Sequence, residues 1–257
     1  MPDSPLTYLW LCLSALAAGA INAVAGGGTL LTFPALLNVV SPVTANGTST
    51  VALVPGALAG AWGFRRELGQ VTRWTALLLL PSLVGGAVGT LLVILFPDRY
   101  FDALVPWLIL TAAILFLLQP SLARLAGVGH EHAAPPPALR AALIGFQFLV
   151  AVYGGYFGAG IGILMISSLS LMGLGDIQRV NALKTVLATA INGVSVVVWV
   201  LAGRVEWRFA LAMAGAAIVG GYAGARVSRR LPRGVVRWLV IALGFGLAAY
   251  YFALRAG

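Results

Sequence analysis

The chain has 257 residues, 60% of them hydrophobic and only 9% charged, whereas soluble domains carry about 25% charged residues. So little polar surface cannot coat a water-soluble core, and long apolar runs recur from end to end; together they indicate a polytopic helical membrane protein and exclude a soluble enzyme, a secreted disulfide scaffold and a disordered chain. The net charge of +9, from 16 Lys and Arg against 7 Asp and Glu, is spread through short gaps between apolar runs, so it reads as a topology signal and no nucleic-acid partner is expected.

In chain order, the breaks predict segments at 6–25, 29–40, 44–64, 74–96 and 103–119, then 139–156, 161–173, 177–202, 207–225 and 238–254. Residues 120–138 (PSLARLAGVGHEHAAPPPA) are polar and Pro-rich and are read as a linker between a first repeat, 1–119, and a second, 139–257. The start of the chain has the apolar run and small residues of a signal peptide but no basic leading region, so it is read as a membrane segment. Cys12, the single cysteine, can form no intramolecular disulfide and reads as a small core residue. The second segment of each half is too short to span about 30 Å of hydrocarbon as a regular helix, which marks it as a half-helix.

The halves match at a nearly constant offset. Gly85-Gly86-Ala87-Val88-Gly89 aligns with Gly220-Gly221-Tyr222-Ala223-Gly224, Phe96-Pro97 with Leu231-Pro232, Asn46 with Asn181, and the run from Ala25 to Gly28 with that from Ala159 to Gly162. Duplication of this kind builds many transporters, with the site between the repeats. If both short segments cross, giving ten crossings, the basic residues divide 11 against 4; if neither does, they divide 8 against 7. The positive-inside rule therefore favours two inverted repeats of five segments with both termini outside. The expected fold is thus all-α and polytopic, with two inverted repeats whose second segments are short.

Three consecutive glycines, Gly26-Gly27-Gly28, precede Thr29 and free the chain to leave one helix and restart another. A restarting helix points unpaired N–H groups and its positive dipole end at whatever lies before it, a setting suited to an anion. Gly158-Ala159-Gly160-Ile161-Gly162 is the matching device in the second half. Close packing of helices through small residues accounts for either cluster equally well.

Lys184 is the only lysine, about 12 Å inside the segment 177–202. A cation there is costly and marks a function by default, although a lysine stem can also carry its charge towards the interface. On a helix, Asn181, Lys184, Thr185, Ala188 and Asn192 share one face. The counterpart in the first half is the polar cluster Asn46-Gly47-Thr48-Ser49-Thr50. All seven acids fall in expected gaps or termini, which disfavours a cation carrier or a carboxylate proton relay and favours a negatively charged permeant. His130-Glu131-His132 lies in the polar linker without a further ligand, so no metal or cofactor is expected, and no catalytic motif suggests an enzyme.

These stretches, INAVAGGGTLLTFPALL and NGTST, then GAGIGILM, NALKTVLATAINGVSVVVWVLAGRVEW and GGYAGARVSRRLP, together resemble the TauE/SafE sulfite exporter family of bacterial membrane permeases over about residues 8–250. The resemblance implies multi-pass insertion in the bacterial inner membrane and movement of sulfur-containing anions such as sulfite, sulfonates or sulfoacetate. Carried over by position, it implies binding residues Gly26, Gly27 and Gly28, Asn46, Thr48 and Ser49, Gly158, Gly160 and Gly162, and Asn181 and Lys184; the polar stripe adds Thr185 and Asn192. The second copy has Ser167-Ser168 where the family commonly has a proline, which implies a more regular second half-helix. The expected function is transport of such anions, as export, with a small anionic substrate, membrane lipid and a further copy of the chain as the partners to consider. The alternatives are a permease for another organic anion, such as a carboxylate, and a non-transporting scaffold subunit.

Overall fold

Proline and glycine punctuation cuts the apolar chain into helices. In the computed structural model, which describes residues 4–24, 27–125, 135–172, 174, 176–227 and 233–256, they are α1 (Pro5–Val24), α2 (Thr29–Leu37), α3 (Pro42–Gly63), α4 (Arg65–Leu68), α5 (Thr72–Leu95), α6 (Asp98–Leu125), α7 (Pro137–Tyr156), α8 (Ile161–Ser170), α9 (Ile177–Leu201), α10 (Trp207–Val227) and α11 (Arg233–Ala256). No strand occurs among the described residues. Pro42 and Pro137 occupy the first helical positions of α3 and α7, where a missing N–H costs nothing. At the start of α9, the Asp176 carboxylate accepts the Gln178 N–H at 2.9 Å.

Five described helices, α1, α5, α6, α7 and α9, are long and apolar enough to cross a membrane. The half-helices are shorter than the runs that predicted them: α2 has 9 residues and α8 has 10. Pro34 is accommodated inside α2, so its presence there and absence from α8 do not separate the two in kind. Helix α6 starts at Asp98 and continues through Pro120 to Leu125, entering the expected linker; it also takes in Asp98 and Asp102, which the apolar runs had left in a gap. The His130-Glu131-His132 motif lies outside the described residues.

The halves interlock through their glycines. Helix α5 of the first half lies along α7 and α9 of the second, and α10 of the second lies along α1 and α3 of the first. A methyl group on Gly85 or Gly89 would run into the α7 backbone at Phe148 or Val152, and one on Gly220 or Gly224 into the α1 backbone at Leu16 or Ala20. The intervening Gly86 and Gly221 abut Ile191 of α9 and Gly56 of α3. Small residues thus let backbones meet where lipid tails supply no hydrophobic drive. Polar ties reinforce the seam: Gln147 Nε2 donates to Ser82 Oγ at 3.0 Å, and the Thr90 hydroxyl reaches Ser195 Oγ at 2.8 Å and the Gly155 carbonyl at 3.0 Å. Cys12 is half-buried at the α1–α10 seam, its Sγ 3.5 Å from the Ala212 carbonyl, so it is an interface residue rather than a core one.

These contacts also give direction. Helices α5 and α9 run the same way, from Arg179 Nε donating to Gln70 Oε1 (2.7 Å) at one end to Arg204 bridging both Asp98 oxygens (3.1 Å each) at the other. Helices α3 and α10 are also parallel, meeting at Thr48 and Glu206 and again at Gly56 and Gly221. Since α1 runs with α10 too, Tyr8, Cys12 and Leu16 meeting Phe209, Ala212 and Gly220 in order, α2 lies on the return from the end of α1 towards the start of α3. Helix α8 does the same between α7 and α9, because Gln147, Phe148 and Val152 of α7 meet Ser82, Gly85 and Gly89 of α5 in order and α5 runs with α9. Phe33 of α2 packs edge-on against Phe101 and Phe157, with centroids 6.3 and 5.2 Å apart, fastening the first half-helix beside the entrance to the second.

Candidate functional site

Both half-helices begin at one cavity of about 50 Å³. Gly27 and Thr29 reach it from the start of α2, and Gly158, Ile161 and Gly162 from the start of α8. Thr50, Leu53, Gly56, Ala57 and Gly60 wall it from α3, Lys184, Thr185, Ala188 and Asn192 from α9, and Asn22 from the end of α1. Gly27 (φ +131°) and Gly158 (φ +81°) hold backbone conformations that disfavour a side chain, so the turns that bring the chain into the cavity depend on them.

Lys184 is only 2% exposed, and its Nζ has no hydrogen-bond partner among the described residues. An ammonium in that position bears the full cost of desolvation until something negative arrives. No carboxylate is among the described residues that line the cavity.

Of the residues implicated by the sequence, Gly27, Gly158, Gly162, Lys184, Thr185 and Asn192 come together here. Gly28 and Gly160 face elsewhere: a methyl on Gly28 would strike the Ala18 backbone, and one on Gly160 would lie against Leu115 and Ala112 of α6. The two readings of the glycine clusters therefore divide between individual residues, some lining the cavity and others permitting close approach. Gly26 lies outside the described residues.

Of the polar cluster at the start of α3, Asn46, Thr48 and Ser49 lie outside the cavity wall and tie elements together. Asn46 Nδ2 donates to the Tyr156 carbonyl at 2.8 Å, Thr48 Oγ1 accepts the Glu206 N–H at 2.9 Å, and Ser49 Oγ bonds Thr32 Oγ1 of α2 at 2.6 Å. Asn181 is buried one helical turn before Lys184, away from the lining, with its Oδ1 unpartnered among the described residues.

Asn22 is absent from the residues that the sequence implicated, and Thr50 enters there only as the last member of the polar cluster, not as a binding residue. The Asn22 Oδ1 accepts the N–H groups of both Gly27 (2.9 Å) and Gly28 (2.7 Å). Two of the donors expected to face an anion are therefore already engaged by the Asn22 side chain, which is itself part of the cavity wall. An asparagine at the end of an apolar run, just before a glycine break, was the available signal. Thr50 stands 135 positions before Thr185, and each hydroxyl donates to the carbonyl four residues earlier, Asn46 at 2.8 Å and Asn181 at 2.7 Å. The repeat offset applied to Thr185 would have found it.

The profile described as Sulfite exporter TauE/SafE matches residues 11–251, nearly the whole chain with both glycine breaks and Lys184 inside it. The chain belongs to the TauE/SafE family. Relatives of this TauE/SafE chain include a probable membrane transporter protein of Haemophilus influenzae, 29% identical over 238 residues covering 90% of this chain and 89% of the relative. The probable membrane transporter protein ORF9 of a Sinorhizobium species is 26% identical over 242 residues, 93% and 90% of the two chains. The probable membrane transporter protein YfcA of Escherichia coli K12 is 28% identical over 230 residues, 89% and 81%. The protein is thus a multi-pass membrane protein of a transporter family.

Proposed function

We propose that the protein exports a small sulfur-containing oxyanion, sulfite or a short sulfonate, across the bacterial inner membrane, binding it between the two half-helices with Lys184 as the charge partner. The observation that carries this reading is Lys184, a buried residue of the cavity wall whose Nζ has no partner among the described residues, with no carboxylate among the described lining residues. The space of about 50 Å³ is room for about three or four waters, the scale of a four-atom oxyanion. A larger sulfonate requires the walls to part. The shared direction of α5 and α9, and of α3 and α10, supports ten crossings in two inverted repeats, because an eight-crossing chain would run each pair antiparallel.

Reconstituted liposomes loaded with sulfite, methanesulfonate, sulfoacetate or acetate test the assignment. Saturable sulfite flux that Lys184→Met abolishes is the expected result. Acetate flux with no sulfite flux would make it a carboxylate permease, and no flux of any anion would remove the transport reading.

A further inference from the structure

We infer that the cavity takes its permeant as a singly charged oxyanion that still carries a proton. This rests on the proposed anion-transport reading and concerns which ionisation state of the anion the site accepts.

Charge is the first ground. Lys184 supplies one positive charge, and no other described lining residue is ionisable. A monoanion leaves the buried pair neutral, whereas a dianion leaves a negative charge uncompensated in a desolvated space.

Hydrogen-bond direction is the second and independent ground. The Thr50 and Thr185 hydroxyls have each committed their single proton to a backbone carbonyl, at 2.8 and 2.7 Å. From α3 and α9 they therefore offer the cavity lone pairs only. A fully ionised oxyanion, which has no donor, meets those lone pairs with its own. A hydrogen oxyanion turns the same contact into an O–H donating to a threonine oxygen. Its remaining oxygens accept from the Lys184 ammonium and from the Asn22 amide nitrogen, which is a donor here because Asn22 Oδ1 is occupied by Gly27 and Gly28. The proton then travels with the anion, and the spans need no carboxylate relay to carry it.

The charged and titratable groups on the helices packed around α9 are Arg65, Arg66 and Glu67 of α4, Arg73 of α5, and Arg140, Tyr153 and Tyr156 of α7. Arg179 belongs to α9 itself. None of them lines the cavity, and α3 and α8 carry no titratable group.

The test is liposome flux and competition between about pH 6 and 9, roughly spanning the second ionisation of sulfite, with three anions. Sulfite exchanges its monoanion for a dianion in this window, chlorate has the same pyramidal shape with one charge and no proton, and sulfate is a dianion throughout. Sulfite affinity relative to chlorate should fall about tenfold per pH unit once the monoanion is depleted. Chlorate corrects for any titration of Lys184, and sulfate should compete with neither. Thr185→Val and Thr50→Val should each shift selectivity by about tenfold towards chlorate. Sulfite handling that tracks the dianion, or valine variants that weaken both anions equally, overturns the inference while leaving the anion site standing. Failure of every anion to bind or move removes the site reading along with it.

Discussion

Replacing Lys184 by methionine keeps the length of the side chain and removes its charge, and the structure predicts opposite effects on binding and on stability. A unit charge about 4 Å from the ammonium, at an effective dielectric constant of about 20, gains about 4 kcal/mol, so the variant should lose roughly a thousandfold in anion affinity. In the empty protein the same ammonium is buried without a partner, and removing it should stabilise the fold by about 1–3 kcal/mol. For a chain of this size that is an upward shift of several degrees in melting temperature. Melting followed in detergent without anion, paired with initial-rate flux in liposomes, reads both quantities. Flux and affinity retained within tenfold of the unsubstituted protein would refute the charge-partner role. A lowered melting temperature together with lost flux would show instead that Lys184 holds the bundle together through its stem.

Four further outcomes are expected. In a Cys12→Ser background, cysteines at Arg65 and Arg179 should label from one face of the membrane and cysteines at Arg99 and Arg208 from the other; labelling of Arg65 and Arg179 positions from opposite faces would exclude ten crossings. Asn22→Ala frees the Gly27 and Gly28 N–H groups, so stability should drop by about 1–3 kcal/mol and flux with it, whereas Asn22→Asp keeps the acceptor but places a negative charge in the cavity and should lose transport with less loss of stability. Gly89→Val forces α5 off α7 and should cost about 3 kcal/mol or prevent recovery of folded protein, while Gly145→Ala, with nothing near its added methyl, should be neutral or slightly stabilising in the same melts. Thr48→Val removes the acceptor for the Glu206 N–H and should cost about 1–3 kcal/mol without changing anion affinity, since Thr48 ties α3 to α10 and does not line the cavity; an affinity loss would return it to the site.

The helices were largely legible because prolines and glycines end them for local reasons, and α9 begins at Ile177, where the apolar run predicted it. Lys184 and the two glycine breaks were legible for a similar reason: a cation or a run of glycines inside an apolar segment is conspicuous whatever surrounds it. What sequence could not resolve is which way neighbouring polar groups point. Asn46, Thr48 and Ser49 are close in the chain, but successive helical positions diverge by about 100°, so each met a different neighbour and none met the cavity. Thr50, one residue further, turned inward. The free N–H groups expected at the first break failed for a related reason. A buried donor takes the nearest acceptor, and only the folded chain brings Asn22 back over Gly27 and Gly28.

The glycine seams also set the order in which the protein can be completed. Cys12 and Ala212 touch although 200 positions separate them, so the surface of α1 that receives α10 is synthesised long before its occupant. Contacts so distant in sequence form late and slowly. A chain halted after α9 would have seated α5 against α7 and α9, while α1 and α3 still presented small-residue surfaces to lipid. Arrival of α10 is therefore the step that closes the seam with the earliest part of the chain, and a lesion there should strand a half-assembled protein for quality control rather than merely loosen it.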